Sequence, residues 1–288
     1  PVLVTSQTFG PLVLPGDQPA FEELLTTATA IGVRERDSFA LARRTGVADD
    51  RLTLIPDDAA WLEPTDEDRR WVDEQGLGSR IVTMSLTYHR GSTGYPYRSY
   101  IERAAATADA LAERLDAEIV LVAHLGVIGG DADPIRDVLH NTKVRDASSS
   151  GRVRLLPMTD ARRVIEVARR SLVCVTTRYH PTVFGPFSGV PAIGIATGYY
   201  SSLRMRGALG HLGLQDFVLP AEIWDAGLVL AAVDELVERH DEVQQHIAAA
   251  VPAAREHADI WWDSLVASIR DGGSWSSVPS VPAAPKLP

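Results

Sequence analysis

The sequence predicts an α/β fold with parallel sheets and two domains. Between residues 80 and 220, apolar runs of strand length alternate with stretches of helical periodicity, a pattern typical of βαβ units. The chain has 288 residues, more than one compact core usually takes. A shorter α/β stretch precedes the alternating region, within residues 1–62.

The strands of the alternating region are apolar, as expected for a sheet covered by helices on both faces. They are Ile81–Leu86, Glu118–Ala123, Val153–Leu156, Leu172–Thr176 and Ala192–Ala196. The predicted helices are Tyr97–Leu115, Pro134–Leu139, Asp160–Arg170, Pro181–Ser188 and Leu203–Leu212. In the first stretch, the predicted strands are Val2–Thr5 and Leu52–Ile55, and the predicted helices are Phe21–Ala30 and Asp37–Thr45.

Composition divides the chain into four parts. Residues 1–75 are predicted to form a partial N-terminal α/β domain, and residues 76–221 a C-terminal Rossmann-like domain. Residues 222–271 are predicted to be helices that pack across the domains. Residues 272–288 are rich in Gly, Ser, Pro and Ala, which predicts a disordered tail.

Three local features refine this division. The stretch Glu63–Arg80, rich in Asp, Glu and Gly, is predicted to be the linker between the domains. A helix break is predicted at Pro252. The pair Trp261 and Trp262 is predicted to dock the C-terminal helices by packing, with ligand binding as the less favoured reading.

The formal net charge of −10 argues against a basic nucleic-acid surface and against binding to an anionic membrane. The single cysteine, Cys174, lies in an apolar run and is interpreted as a core residue. No metal-binding spacing, membrane span or signal peptide is visible, so a cytoplasmic location is expected. Because the chain begins at Pro1 without a Met, a truncated start is also expected.

The most informative motif is Arg178, Tyr179 and His180, directly after the strand Leu172–Thr176. Ligands of open α/β sheets bind at the carboxyl ends of strands. An arginine fork suits a carboxylate or phosphate, and a histidine can donate a proton near neutral pH. The motif therefore predicts an anionic substrate that must be protonated, against the alternative of a salt-bridged arginine and a core histidine.

Other strand ends carry weaker signals. Arg34 follows a short apolar run and precedes a helix, so it is either a ligand contact or part of a surface ion-pair cluster. Gln7 and Gly10 lie in a Gly-Pro turn that either lines a cleft or is a plain turn.

Two further groups of residues are candidates. Ser201, Ser202 and Arg204 precede or open a predicted helix, where they form either an anion-binding nest or an ordinary capped start. His124, at a strand end, and His89 are cleft candidates. A metal site at His124 is disfavoured, because one His and scattered Asp residues do not make a ligand set.

Together these motifs resemble the polysaccharide pyruvyl transferase family over roughly residues 1–220. The resemblance rests on their order along the chain, with Gln7-x-x-Gly10-Pro11, Arg34-Glu35-x-x-Ser38, Pro56-Asp57, His124 with Asp133, Arg178-x-His180, Gly189-x-Pro191 and Leu212-Gly213-Leu214. The family usually has Leu where this chain has Tyr179, often Lys where it has Arg204, and a further segment before the Gln-x-x-Gly-Pro turn.

The resemblance implies two Rossmann-like domains similar to a B-type glycosyltransferase, with the N-terminal domain, on the acceptor side, incomplete. It implies phosphoenolpyruvate as donor, a saccharide diol as acceptor, a pyruvate ketal as product, and no metal or organic cofactor. On this basis His180 is the expected catalytic acid. The expected donor contacts are Arg178, Arg34, Tyr179, Ser201, Ser202 and Arg204, and the cleft candidates are Gln7, Gly10, His124 and His89.

Two other functions fit the same motifs. A B-type glycosyltransferase or epimerase that uses a nucleotide sugar has the same domain plan. A non-catalytic saccharide-binding relative fits the incomplete N-terminal part and Tyr179.

Overall fold

The structure is a computed structural model that describes residues 1–12, 14–88, 94–125, 136–272 and 274–287. Its strands are β1 (Leu3–Gln7), β2 (Ala30–Val33), β3 (Leu52–Leu54), β4 (Ile81–Ser85), β5 (Glu118–Leu121), β6 (Val153–Leu155), β7 (Ser171–Thr176), β8 (Ala192–Ala196) and β9 (Val218–Pro220). Its helices are α1 (Asp17–Thr27), α2 (Arg36–Arg44), α3 (Asp66–Glu74), α4 (Tyr97–Leu115), α5 (Arg136–Ala147), α6 (Ala161–Arg169), α7 (Pro181–Phe187), α8 (Tyr199–Gly210), α9 (Ala226–Glu238) and α10 (His240–Arg270). Short 3-10 turns lie at Asp58–Trp61, Gln215–Phe217 and Ala221–Ile223.

The chain forms two compact units. The first unit comprises Pro1–Trp61, Leu203–Gln215 and Ala248–Pro288, and the second comprises Leu62–Ser202 and Asp216–Ile247. The first change of unit along the chain therefore falls at Trp61, whereas composition placed it near residue 75.

The second unit contains a six-stranded parallel sheet in the order β6-β5-β4-β7-β8-β9. From β4 the chain adds strands in one direction, and from β7 it adds them in the other. The boundary between β4 and β7 is thus the topological switch point of a Rossmann-type sheet. Every residue of β4 and β8 is buried, which explains why these strands have no polar alternation.

The first unit contains a three-stranded parallel sheet in the order β1-β2-β3. Together the two sheets confirm the predicted α/β fold with parallel strands.

The indole of Trp261 anchors α10 to the sheet of the first unit. It is fully buried and packs in a cluster with Ala30, Ile55, Leu265 and Val278. A Cβ atom added at Gly32 would lie 2.7 Å from both the Trp261 ring and the Ile55 side chain. Only glycine at this position of β2 leaves room for the indole, so Trp261 is a packing residue.

The helix α10 runs without interruption through Pro252, contrary to the predicted break. Its buried positions Ala254, Ala258, Trp261 and Leu265 recur at helical spacing. Burial of this face offsets the hydrogen bond that the proline cannot donate. The helical spacing of the buried residues therefore determines the conformation around Pro252, and the proline does not interrupt the helix.

The predicted linker Glu63–Arg80 contains the helix α3, which the prediction missed. Thr65 and Asp68 form a capping box, in which each side chain accepts a hydrogen bond from the other residue's backbone N–H. The spacing Thr-x-x-Asp was visible in the sequence and marks this helix start.

The stretch after Gly272 was predicted to be disordered, and the structure differs. Val278 and Val281 are buried, and Val281 N donates a hydrogen bond to Leu54 O over 2.9 Å. Thr53 Oγ1 donates to Val278 O over 3.0 Å. Two valines spaced among small residues give this segment enough apolar surface to lie along β3.

In the described part of the chain, no helix combines the length and the apolar character needed to cross a bilayer.

We predict that Gly32→Ala destabilises the first unit by about 1–3 kcal/mol, because the added methyl group overlaps Trp261 and Ile55. Thermal and urea unfolding measure the effect. The matched control is Gly16→Ala, where no atom lies within 4 Å of the added Cβ, and it should change stability by less than about 1 kcal/mol. Equal effects of the two variants would contradict the packing described for Trp261.

Candidate functional site

Hydrogen bonds from Thr176 and Thr177 to Ser85 join the carboxyl ends of β4 and β7. Thr177 N donates a hydrogen bond to Ser85 O over 3.0 Å, and Thr176 Oγ1 donates to the same carbonyl over 2.9 Å. Arg178 N in turn donates to Thr176 Oγ1 over 2.8 Å. The backbone that carries the Arg-x-His motif is therefore fixed at the switch point of the sheet.

The guanidinium of Arg178 is held by Asp137 of α5. Arg178 Nη2 donates a hydrogen bond to Asp137 Oδ1. The arginine side chain keeps 20% of its surface exposed, whereas the Asp137 side chain has none. Among the described residues, Arg178 Nε has no hydrogen-bond partner. The arginine is thus oriented by one carboxylate and keeps part of its side chain open to solvent.

Asp137 also binds the backbone after β5. Its Oδ2 atom accepts hydrogen bonds from the backbone N–H groups of His124 and Leu125, each over 3.0 Å. One buried carboxylate therefore connects α5, the segment after β5 and the segment after β7. Asp137 was not predicted from the sequence, where Asp133 was taken as the downstream acid of the motif.

The rings of His180 and His124 both contact the ring of Phe184. The His180 ring stacks on Phe184 with centroids 5.6 Å apart, and the His124 ring stacks on Phe184 with centroids 6.1 Å apart. His180 is exposed. Tyr179, predicted to contact the donor, is instead buried, with 6% of its surface exposed. The structure therefore brings the two histidines and Arg178 together and leaves Tyr179 in the core.

Burial lowers the pKa of His124 to about 3, and the neighbouring His180 and Arg178 contribute in the same direction. Its Nε2 atom lies 2.9 Å from Ser85 Oγ, a hydrogen bond whose direction depends on the tautomer. The imidazole of His124 is therefore neutral at physiological pH and acts only as a hydrogen-bonding group.

A buried tyrosine supports the same edge from α4. Tyr100 donates a hydrogen bond to Thr87 O over 2.7 Å, and its oxygen lies 3.2 Å from Thr177 Oγ1. Thr177 Oγ1 also accepts a hydrogen bond from Thr87 N over 2.7 Å. Burial raises the pKa of Tyr100, so the phenol stays protonated. In the sequence, the only sign of this buried position is the helical spacing of the apolar residues in α4.

The serine motif differs from the prediction in its position. The helix α8 begins at Tyr199, so Ser201 and Ser202 lie within its first turn. Ser201 Oγ donates to Gly198 O over 2.9 Å, as in an ordinary helix start. Arg204 lies in the first unit, where its charge lowers the pKa of Glu35 against the larger, raising effect of burial. The predicted role of these three residues in donor binding stays a prediction.

Arg34 lies at the carboxyl end of β2 in the first unit. Its guanidinium forms an ion pair with Asp57, and its Nε donates to Thr8 Oγ1 over 2.8 Å. The residues Gln7 and Gly10 follow β1 in the same unit, and Gly10 has a φ of 83° that favours glycine. The structure places these residues at one edge of the three-stranded sheet, and their contact with ligands stays a prediction.

His89 and Asp133 lie outside the described residues. Cys174 is buried, and burial raises the pKa of its thiol to about 11, as expected for a core residue. Within the part of the chain that the structure describes, no three His, Cys, Asp or Glu side chains gather closely enough to hold a metal ion.

Comparisons with known proteins give one family and one fold. A model of the polysaccharide pyruvyl transferase family matches residues 1–199. A comparison with curated protein sequences finds no significant match.

The solved structures with the same fold are distant in sequence. A candidate UDP-N-acetylglucosamine 2-epimerase from Listeria monocytogenes has a TM-score of 0.61 and 14% identity, over 96% of this chain and 69% of that chain. The UDP-GlcNAc 2-epimerase from Neisseria meningitidis bound to UDP-GlcNAc has a TM-score of 0.61 and 12% identity, over 92% of this chain and 69% of that chain. The Anabaena protein HepE in complex with UDP has a TM-score of 0.57 and 13% identity, over 94% and 72%. At these identities the likeness concerns the fold alone, two Rossmann-like domains of the B-type glycosyltransferase kind, which confirms the predicted architecture.

We predict that the imidazole of His124 does not titrate between pH 8 and pH 5, because its pKa is lowered from an ordinary value near 6.5 to about 3. Proton NMR follows the ring signals between pH 8 and pH 5, with His124→Gln to assign the resonance. The unfolded chain takes up a proton at this residue below about pH 6.5 and the folded chain does not. The contribution of His124 to the free energy of unfolding therefore falls as the pH decreases from about 6.5 towards 3. A His124 titration near pH 6.5 would refute the burial described.

Proposed function

The chain belongs to the polysaccharide pyruvyl transferase family, and we propose that it transfers a pyruvyl group from phosphoenolpyruvate to two hydroxyls of a saccharide, forming a ketal. The observation that carries the proposal is the group of residues at the switch point of the second unit. There Arg178, oriented by buried Asp137, lies beside an exposed His180. An anion-binding fork next to a proton donor is the arrangement that an anionic enol substrate requires.

Arg178 binds the donor's carboxylate or phosphate in this proposal. Its pairing with Asp137 uses one terminal nitrogen and fixes the plane of the guanidinium. The guanidinium keeps a planar fork that suits two oxygens of an anion, and the partial exposure of the side chain lets the ligand reach it.

His180 is the better proton donor of the two histidines. The depressed pKa of His124 keeps that ring neutral, so it has no acidic proton to deliver near neutral pH. His180 is exposed, and it stacks on the same Phe184 ring that contacts His124. We therefore assign the general acid to His180 and a hydrogen-bonding role to His124.

The reaction balances with these groups. The His180 imidazolium transfers its proton to the methylene carbon of phosphoenolpyruvate, and the adjacent carbon becomes cationic. A saccharide hydroxyl adds to that carbon and gives up its proton to the histidine. The bond from this carbon to the phosphate oxygen then breaks and inorganic phosphate leaves. A second hydroxyl closes the ketal ring and gives its proton to the departing phosphate.

A nucleotide-sugar transferase or epimerase is the main alternative. Two of the solved structures of similar fold are described with UDP or UDP-GlcNAc bound. The same fold can support pyruvyl transfer and nucleotide-sugar chemistry, so the ligand that the protein binds distinguishes the two functions. A non-catalytic saccharide-binding relative is the third candidate, and it differs from both enzymes in releasing neither phosphate nor a nucleotide product.

We predict that Arg178→Lys weakens the binding of phosphoenolpyruvate about tenfold or more, because an ammonium keeps the charge and loses the planar fork. Calorimetry with phosphoenolpyruvate measures the dissociation constant, and UDP-GlcNAc is the competing probe. The lysine also retains a partner for buried Asp137, which favours folding. The matched control is Arg163→Lys, an arginine of the same unit with 22% exposure that is likewise held by an aspartate.

Two outcomes would oppose the proposal. An unchanged dissociation constant in Arg178→Lys would remove this residue from the donor site. Binding of UDP-GlcNAc by the wild type, with no binding of phosphoenolpyruvate, would favour the nucleotide-sugar enzyme.

We predict that His180→Gln lowers turnover by about 10²–10⁴-fold, the usual contribution of a general acid, with little change in phosphoenolpyruvate affinity. The assay supplies phosphoenolpyruvate with methyl glucoside, galactoside and mannoside as diols, and follows phosphate release and the ketal by mass spectrometry. His240→Gln, an exposed histidine of the same unit, is the control. Full turnover in His180→Gln would exclude it as the acid.

A further inference from the structure

The first unit contains a pocket of its own, which the proposed donor site does not use. It has a volume of about 340 Å³, within the range of small-ligand sites. The pocket opens at the carboxyl end of β2 and β3, where Leu54 forms part of its wall. This is the edge at which α/β sheets place their ligands.

Three cationic side chains line this pocket, and they come from three different segments. Arg36 comes from the start of α2, Arg206 from α8 and Lys286 from the C-terminal stretch. Lys286 is one of only two lysines in a chain whose net charge is −10. Convergence of cations from distant parts of an acidic chain indicates a site for an anion.

Two acidic side chains, Glu35 and Asp37, line the same pocket as the three cationic ones. Glu35 is buried, its carboxylate accepts hydrogen bonds from Thr8 and Ser38, and burial raises its pKa. His211 is also buried, its Nε2 lies 2.8 Å from Arg34 O, and burial lowers its pKa to about 4. His211 is therefore neutral, and Asp37 is the exposed one of the two acidic residues.

The rest of the wall is small and largely apolar. Gly207 and Gly210 contribute backbone surface from α8, and Pro282 and Ala284 contribute from the C-terminal stretch. A Cβ atom at Gly207 would collide with Glu35, so glycine brings α8 close to β2. A smooth wall beside a cationic group suits a ligand that has a carbon ring and one anionic end.

We propose that this pocket binds the phosphate group of a phosphorylated saccharide, which, resting on the proposed function, is the acceptor. The three cations hold the phosphate, and the sugar ring lies against the small residues. Phosphate is favoured over carboxylate because three converging cations from separate segments match its higher charge and its three terminal oxygens.

Calorimetric titration with glucose 1-phosphate, inorganic phosphate and glucose tests the proposal. We expect glucose 1-phosphate to bind most tightly and glucose not to bind. Arg36→Ala and Lys286→Ala should each weaken glucose 1-phosphate binding about tenfold or more. The matched control is Arg44→Ala, an exposed arginine of α2 away from the pocket, which should keep wild-type affinity. Both pocket residues are exposed, so circular dichroism should give the wild-type spectrum for each variant.

Three results would overturn the proposal. Glucose 1-phosphate binding that is absent, or unchanged in both pocket variants, would exclude the site. If inorganic phosphate binds as tightly as glucose 1-phosphate, the proposed contact between the pocket and the sugar ring is excluded. Because phosphoenolpyruvate affinity depends on Arg178 in the proposed function, the Arg178→Lys titration fails or succeeds independently of these measurements.

Discussion

The buried carboxylate of Asp137 is the contact on which the candidate site depends. It has no exposed surface, and it accepts three hydrogen bonds, one from Arg178 and two from the backbone at His124 and Leu125. Leaving such a charge without its partner costs about 3–5 kcal/mol, so the arginine is held in place strongly. The same carboxylate fixes where the segment after β5 turns. Through one residue, the positions of the arginine and of a histidine are coupled.

The two histidines show how burial assigns roles to identical side chains. His124 lies under Phe184 and bonds to Ser85, and its pKa falls to about 3 because water is excluded. His180 stacks on the same phenyl ring and is exposed to solvent. A proton needed at neutral pH can come from the exposed ring and not from the buried one. The contact with Phe184 thus keeps the two imidazole rings near each other, and their different exposure to solvent gives them different acid–base roles.

Sequence patterns predict the strands of the second unit well, because apolar runs such as Leu172–Thr176 have no other stable position than a covered sheet. They also place Arg178 and His180 at the correct edge. Sequence patterns fail where a contact between residues far apart in the chain determines the local conformation. Pro252 continues a helix because Trp261 and Leu265 bury one face of it, and the C-terminal stretch is ordered by Val278 and Val281. Asp137 was missed because a partner 41 residues away in the chain leaves no mark in local periodicity.

An acidic protein that binds an anion needs local arrangements that offset its own field. The net charge of −10 repels phosphorylated ligands at long range, and screening at physiological salt limits that repulsion to about 8 Å. Within that distance, the charges nearest to the ligand determine the field that it meets. At Arg178 the opposing carboxylate is buried and already paired, so an approaching ligand meets the exposed part of the guanidinium. In the pocket of the first unit, Glu35 is buried while Arg36, Arg206 and Lys286 are exposed, so an approaching ligand meets the cations first. In both proposed sites an acidic group is buried while the basic side chains keep exposed surface, which is the arrangement that anion binding by an acidic chain requires.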